Sequence, residues 1–424
     1  MDKFVVHGGC RLEGTVHISG SKNAALPILA ATLLTPEKCT VRNVPSLSDI
    51  RTMGEVLDSL GMDFSFRSGV VETSLRDPGK VVAPWEVVKK MRASISVLGP
   101  LLAVRGRAEV SLPGGCAIGT RPVDLHLKGL AALGVRFKIE HGYILGECDR
   151  LKGADFYLGG HFGSSVLATA NVMSAAVLAE GVTRISHASC EPEIVDLANF
   201  LNSMGARISN AGSSTMVIEG VNELHGTDYT VIPDRIETIT FMMAAAATKG
   251  HVRIIGAVPS HLDAVIDVLC AAGVPVNRMH DGVEVLPFEH LKPVEITTLP
   301  YPGFPTDGQA QTMALLCVAE GTSFITERVF PDRFMHASEL SRLGADIRRA
   351  GPTAVVCGVP ELSGAQVMAS DLRASAALVI AGLVAKGETE IYRVYHIDRG
   401  YERIELKLNA LGANIERTEA ETMY

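Results

Sequence analysis

The chain has 424 residues, 47% hydrophobic and 20% charged, which gives enough apolar material for two cores rather than one. Its formal charge of −8 argues against nucleic acid as the main partner, because neutralising a phosphate backbone needs a basic face. No apolar run approaches the roughly 18 residues of a membrane span, and the opening MDKFVVH lacks a secretory apolar region, so the expectation is a cytoplasmic protein with no membrane partner.

Along the chain, an apolar strand pair at 4–18 comes first, and it is expected to complete the sheet of a later domain. Six alanine-rich helices follow, at 24–34, 93–104, 166–179, 238–248, 310–319 and 374–385. Most are apolar nearly all round, which places them inside a domain rather than on its face. Each precedes a short β-branched strand, such as 322–325 or 388–392, and then a second helix. The second helices end in an apolar residue followed by glycine: Gly61, Gly134, Gly205, Gly273, Gly344 and Gly412, recurring every 68 to 73 residues. Glycine suits the left-handed residue that ends a helix before a return to a strand. The period exceeds that of a solenoid, so six copies predict two closed, pseudo-symmetric α/β domains of three repeats, helices inside and sheets outside. The boundary is expected near 229–233, giving domains of 22–229 and of 1–21 plus 230–424.

The first helices begin with polar residues: Ser21-Lys22-Asn23, Arg92, Ser164-Ser165, Asp234-Arg235, Asp307 and Asp371-Leu372-Arg373. Helix N-termini carry unpaired N–H groups and a positive dipole end, and so favour anions. With the domains face to face, Lys22, Arg92 and Arg373 are expected to meet at one cleft fit for phosphate and carboxylate. Three second helices are expected to start at Arg121, Arg333 and Arg399, with Asp124, Asp332 and Asp398 as nearby structural partners. A surface role is the bland alternative for any one of these arginines.

Eight cysteines, at 10, 39, 116, 148, 190, 270, 317 and 357, include no CxxC pair, and no metal site or disulfide framework is expected. Cys116 differs in context. It stands in the glycine-rich loop LPGGCAIG with Arg121 five residues on, where a cation favours the thiolate. A structural and a reactive reading of it are about equally supported by the residues alone; the other seven read as structural. GxxxxGK[ST], GxGxxG and HExxH are all missing, and no cofactor is expected.

Seven stretches carry a resemblance along essentially the whole chain: GSKNAALPI at 20–28, SLPGGCAIGTRPVDLH at 111–126, VIPDRIET at 231–238, FPTDGQAQ at 304–311, FMHASELSRLG at 334–344, LSGAQVMASDLRAS at 362–375 and YHIDRGYERI at 395–404. The sequence resembles the enolpyruvyl transferases, in particular the branch acting on a UDP-amino sugar. That resemblance implies a two-domain inside-out α/β barrel built from six βαβαββ-like repeats. It also implies a reaction: the enolpyruvyl group of phosphoenolpyruvate moves to the 3′-hydroxyl of UDP-N-acetylglucosamine and phosphate leaves, the first committed step of peptidoglycan synthesis. By resemblance Cys116 is the general acid, the thiol that adds to phosphoenolpyruvate and the site of fosfomycin alkylation, and Asp307 is the base. Lys22, Arg121 and Arg399 match the phosphoenolpyruvate clamp, with Arg373 at its carboxylate and Asn23 and Asp371 at the tetrahedral intermediate. Arg92, Arg121, Pro122, Val123, Asp124, Leu125, Gly163, Asp307 and Val329 match the UDP-sugar side. One departure stands out: a lysine common in the family before Gly163 is absent, and the stretch reads LGGHFG at 158–163. Two alternatives remain, the shikimate-3-phosphate sibling, which lacks this cysteine loop, and a non-catalytic UDP-sugar-binding paralogue, which needs neither acid nor base.

Overall fold

The computed structural model describes residues 2–113, 123–161 and 163–419. They fall into two compact units, a terminal unit of 2–19 and 233–419 and an inserted unit of 20–113 and 123–232. Each has its own apolar core.

At the centre of the inserted unit lie the helices Lys22–Ala31, Leu98–Arg105 and Val166–Ala176, and at the centre of the terminal unit Arg235–Ala247, Gln309–Leu316 and Leu372–Val384. Their side chains are mostly buried; in the terminal unit the three helices pack on one another, and in the inserted unit Val166–Ala176 packs on the other two. The helix expected at 93–104 is α-helical only from Leu98. Pro100 has no N–H to bond the Ser96 carbonyl, and Arg92–Val97 tightens into a 3-10 turn instead.

Six four-stranded sheets surround these helices, each with one parallel and two antiparallel pairings. Strands such as Thr322–Glu327 alternate exposed and buried residues, so one face of each sheet meets the helices and the other meets water. The six second helices end at the periodic glycines, whose φ values run from +79° to +103°. At Gly61 a second reason excludes a side chain: a Cβ would lie 2.2 Å from the Asp77 carbonyl oxygen.

The opening strand pair does not enter a single sheet. Asp2–His7 inserts between Glu388–Tyr392 and Asn414–Glu419, antiparallel to both, while Glu13–His17 pairs in parallel with His251–Ile255. Glu13–His17 thus stays in the terminal unit although the chain runs on into the inserted unit. Asp228–Thr230 does the reverse, pairing with Cys39–Arg42 before the chain returns. Both passages are tied down. Asp234 N donates to Ser19 O at 2.9 Å and Ser21 N to Ile232 O at 2.7 Å. The buried Glu237 carboxylate accepts from Ser19 N and from Lys407 Nζ, each at 2.7 Å. In the inserted unit Asp196 accepts from Tyr229 Oη at 2.6 Å and from Ile232 N at 3.2 Å.

Two measurements check this account. Gly61→Ala should lower the unfolding midpoint more than Gly142→Ala, whose φ of +81° carries only the left-handed strain of about 1 kcal/mol because its Cβ would meet nothing. Fluorescence of Trp85, the single tryptophan and part of the same unit, reports both. The second concerns Asp196, whose pKa burial raises to about 6 against the ordinary 3.8, with the Tyr229 and Ile232 bonds opposing. The folded state then binds the proton better than the unfolded one, so this group's contribution falls as pH rises from about 4 through 6. Relative to Asp196→Asn, the wild-type protein should lose about 1–3 kcal/mol over that range in denaturant titrations.

Candidate active site

In the terminal unit the polar residues collect at the N-terminal ends of the inner helices. Asp307 lies in the 3-10 turn Thr306–Gly308 that leads into Gln309–Leu316. Its two carboxylate oxygens take different arginines: Arg333 Nη1 donates to Oδ1 at 2.7 Å and Arg373 Nη2 to Oδ2 at 3.1 Å. Both guanidinium groups are deeply buried, with side chains 5% and 2% exposed against 27% for Asp307. Burial pulls the Arg373 pKa down, but the Tyr401 oxygen, Asp307 and Asp234 outweigh it, and the net shift is upward. Arg373 is therefore a permanent charge at the base of the site. Its Nε is buried with no partner among the described residues.

Asp371 begins the third inner helix as its cap, accepting from Arg373 N at 2.8 Å and Ala374 N at 3.1 Å. His336 feels both Asp371 and Arg333. Burial first, then Arg333, lowers its pKa to about 4 against the pull of Asp371, so it is neutral near pH 7. Arg399 was expected at the start of a second helix, but it ends the 3-10 turn Val394–Arg399, and that helix begins only at Ile404. Burial and then the Arg399 charge lower the pKa of His396, with Asp371 opposing, which places Arg399, His396 and Asp371 in one electrostatic neighbourhood. Val329 belongs to a turn held by the buried Glu327, whose Oε1 accepts from Val329 N and Phe330 N at 2.9 Å each. Glu327 Oε2 accepts from Thr306 Oγ1 at 2.9 Å, so the same carboxylate also steadies the Asp307 turn.

The inserted unit carries the second set. Ser21 caps the Lys22–Ala31 helix by accepting from Ala24 N at 3.3 Å. Lys22 is buried, with Nζ 3.2 Å from Oδ2 of Asp49 in the first turn of the next helix. Asn23 is half-buried beside it, and Pro27, one turn on, has no N–H for the Asn23 carbonyl. Arg92 opens the 3-10 turn of the second repeat. Burial, then Arg92, brings the His126 pKa down to about 3. The neutral ring accepts from Asn171 Nδ2 at 3.0 Å through Nδ1, which leaves the ring proton on Nε2.

Val123 precedes the Asp124–Ala132 helix, with Asp124 exposed in its first turn and Leu125 half-buried. A Cβ on Gly160 would come within 3.2 Å of the Leu125 side chain. Gly163, at φ +91°, exchanges backbone hydrogen bonds with Gly160 at 2.9 and 3.1 Å and so closes the 160–163 turn. Beside this stretch, Lys128 Nζ donates to Gly159 O at 3.2 Å from the neighbouring helix. Cys116, Arg121 and Pro122 lie outside the described residues.

Sequence reasoning missed three of these groups. Arg333 was matched with Asp332, but Asp332 pairs with Arg349 at 2.6 Å and Arg333 turns to Asp307. Asp398 likewise takes Arg417 at 2.6 Å rather than Arg399. Tyr401 and Lys128 gave no signal beyond membership of a matching stretch or helix. Among the described residues no group of His, Cys, Asp and Glu is placed to hold a metal, and no helix is long and apolar enough to cross a membrane.

Residues 6–408 match the model of the family described as EPSP synthase (3-phosphoshikimate 1-carboxyvinyltransferase). The chain belongs to this family of enolpyruvyl transferases. A relative from Methylacidiphilum infernorum, named UDP-N-acetylglucosamine 1-carboxyvinyltransferase, is 54% identical over 98% of this chain and 99% of its own. Another from Carboxydothermus hydrogenoformans, UDP-N-acetylglucosamine 1-carboxyvinyltransferase 2, is 55% identical over 98% and 99%. Among solved structures, the enolpyruvyl transferase NikO from Streptomyces tendae matches with a TM-score of 0.89 at 27% identity, covering 99% of both chains. EPSP synthase from Acinetobacter baumannii matches with 0.76 at 17% identity over 99% of this chain and all of its own, a likeness of fold alone. The two-domain α/β architecture is thus that of the family.

The Asp307 pairings make a direct prediction. Asp307→Asn leaves two buried guanidinium groups without their shared anion and should cost about 1–3 kcal/mol, below the fully buried range because the carboxylate is part-exposed. Adding Arg333→Met should recover part of that loss, and a double-mutant cycle in denaturant should show coupling of about 1–3 kcal/mol. Additive losses would contradict the pairing.

Proposed function

We propose that this chain transfers the enolpyruvyl group of phosphoenolpyruvate to the 3′-hydroxyl of UDP-N-acetylglucosamine with release of phosphate, committing the sugar to peptidoglycan synthesis. The observation that carries the reading is full-length identity of 53–55% to relatives of that activity. The retained Lys22, Cys116, Asp307, Arg373 and Arg399 are the groups such a reaction requires. No cofactor enters the scheme, and the cytoplasm, where both substrates are made, is its setting.

The roles follow from charge and proton demand. Lys22, Arg121 and Arg399 hold the phosphate and Arg373 the carboxylate of phosphoenolpyruvate as fixed cations in a water-poor site. The Cys116 thiol gives its proton to the methylene carbon and C2 becomes electron-poor. Asp307 takes the proton of the sugar hydroxyl as its oxygen bonds to C2. In the tetrahedral adduct, beside Asn23 and Asp371, the Cys116 thiolate takes back a methyl proton as the C2–O bond to phosphate breaks, which forms the enol ether and restores the thiol. Arg333, by pairing with one oxygen of Asp307, keeps that carboxylate ionised and aimed. Arg92, Arg121–Leu125, Gly163 and Val329 serve the UDP-sugar, with Asp307 at its hydroxyl.

Phosphate release from phosphoenolpyruvate should depend on UDP-N-acetylglucosamine and not on shikimate-3-phosphate; the reverse preference would assign the sibling reaction, and no release with either would leave only binding. Asp307→Ala and Cys116→Ala should each lower turnover by about 10²–10⁴-fold. Fosfomycin should add once, at Cys116, in peptide mass maps. Cys270 is exposed and supplies the internal control, while burial pushes the Cys317 thiol up to about 12 and out of reach.

A further inference from the structure

Tyr401 is buried, 2% exposed, and its hydroxyl is shared by all three inner helices of the terminal unit. It lies 2.8 Å from Thr240 Oγ1 on the first helix, 3.2 Å from Gln311 Nε2 on the second and 3.0 Å from Arg373 Nη1 on the third. Counting protons fixes the direction of most bonds in this cluster. Thr240 spends its only proton on the Ile236 carbonyl at 2.9 Å. The Tyr401 proton therefore goes to Thr240 Oγ1. Gln311 Nε2 also faces the Asp307 carbonyl at 2.9 Å, which can only accept, and this fixes the amide with its nitrogen inward. The second amide proton lies between Thr240 Oγ1 at 3.1 Å and Tyr401 Oη at 3.2 Å, so the Tyr401 oxygen accepts from Arg373 and shares the Gln311 amide with Thr240. Burial raises the pKa of this phenol, so it stays a neutral hydroxyl.

The hydroxyl is buried and turned toward Thr240 and Arg373, so it faces side chains of the protein rather than a substrate. We infer that Tyr401 is the positioning residue of the site: its oxygen fixes Arg373 Nη1, which in turn sets the approach of Nη2 to Asp307. The inference rests on the proposed roles of Arg373 and Asp307. It assigns Tyr401 to holding the carboxylate-binding guanidinium and, through it, the base. Among the described residues the Arg373 guanidinium makes two hydrogen bonds, to Tyr401 and Asp307, so loss of one removes half of what orients the head group.

Tyr401→Phe removes one oxygen and keeps the ring. The expected result is a 10- to 100-fold rise in KM for phosphoenolpyruvate with KM for UDP-N-acetylglucosamine within about twofold. A second readout is the acid limb of the kcat/KM profile. It should move to higher pH, because a carboxylate that loses contact with a cation takes up its proton more readily. A purely structural tyrosine would lower the yield of folded enzyme and move neither quantity. Thr240→Val, which removes the acceptor of the tyrosine proton, should shift both in the same direction by less, and Thr240→Ser should restore them. This pair carries the test if Tyr401→Phe does not fold. Wild-type KM for phosphoenolpyruvate with an unmoved acid limb would overturn the inference while leaving the proposed reaction intact. If the wild-type protein has no transferase activity, the reaction is wrong, and the crystal structure of Tyr401→Phe decides this point alone: Arg373 displaced from Asp307 supports it and Arg373 in place refutes it.

Discussion

A helix enclosed on all sides by its own domain has only its ends for polar chemistry. That constraint organises both units. Six inner helices are too apolar to face water along their length, so sheets and second helices surround them. Their first turns still present unpaired N–H groups, and buried donors must be satisfied. Ser21, Ser165, Asp234 and Asp371 meet the need as caps, and 3-10 turns lead in at Arg92 and Asp307. The same six positions are where the repeats stop being alike, because there a side chain can change without disturbing the core.

The energetics of the terminal set follow. Arg373 and Arg333 are like charges buried on either side of one carboxylate, an arrangement that costs desolvation and survives only because Asp307 bridges them. Neutral groups fill the remainder: His336 is held unprotonated by burial, and the Tyr401 hydroxyl closes the pattern of donors and acceptors. Fixed charge of this kind needs no rearrangement when an anion arrives, which is how a preorganised site lowers a barrier. The Lys22–Asp49 pair is the comparable feature of the inserted unit, a buried ammonium beside one carboxylate.

Much of this was legible from one sequence because it is local. The glycine period, the apolar helices and the capping residues are read within a few turns of chain, and every periodic glycine does take a positive φ. Lys22, Asp307 and Arg373 were found by their position at helix starts. What escaped depends on distant chain. Asp332 is adjacent to Arg333 in sequence, yet the partner of Arg333 is 26 residues away. Tyr401 meets Thr240 across 161 residues. Lys128 reaches the Gly159 carbonyl from another helix, 31 residues away in sequence. The helix expected at Arg399 failed for a local reason, a 3-10 turn that ends at Arg399 and is followed by Gly400.

The placement of Asp2–His7 between Glu388–Tyr392 and Asn414–Glu419 also sets a schedule. Once this strand leaves the ribosome it has no neighbours until roughly 380 residues later, a delay on the order of 20–80 s at ordinary rates of translation. The inserted unit has its full complement of strands once residue 232 has emerged, so it can close while the other is half made. During that interval Val5 and Val6 belong to an unpaired edge. The charged and polar residues around them, Asp2, Lys3 and His7, are the kind that keep such an edge from pairing with another chain.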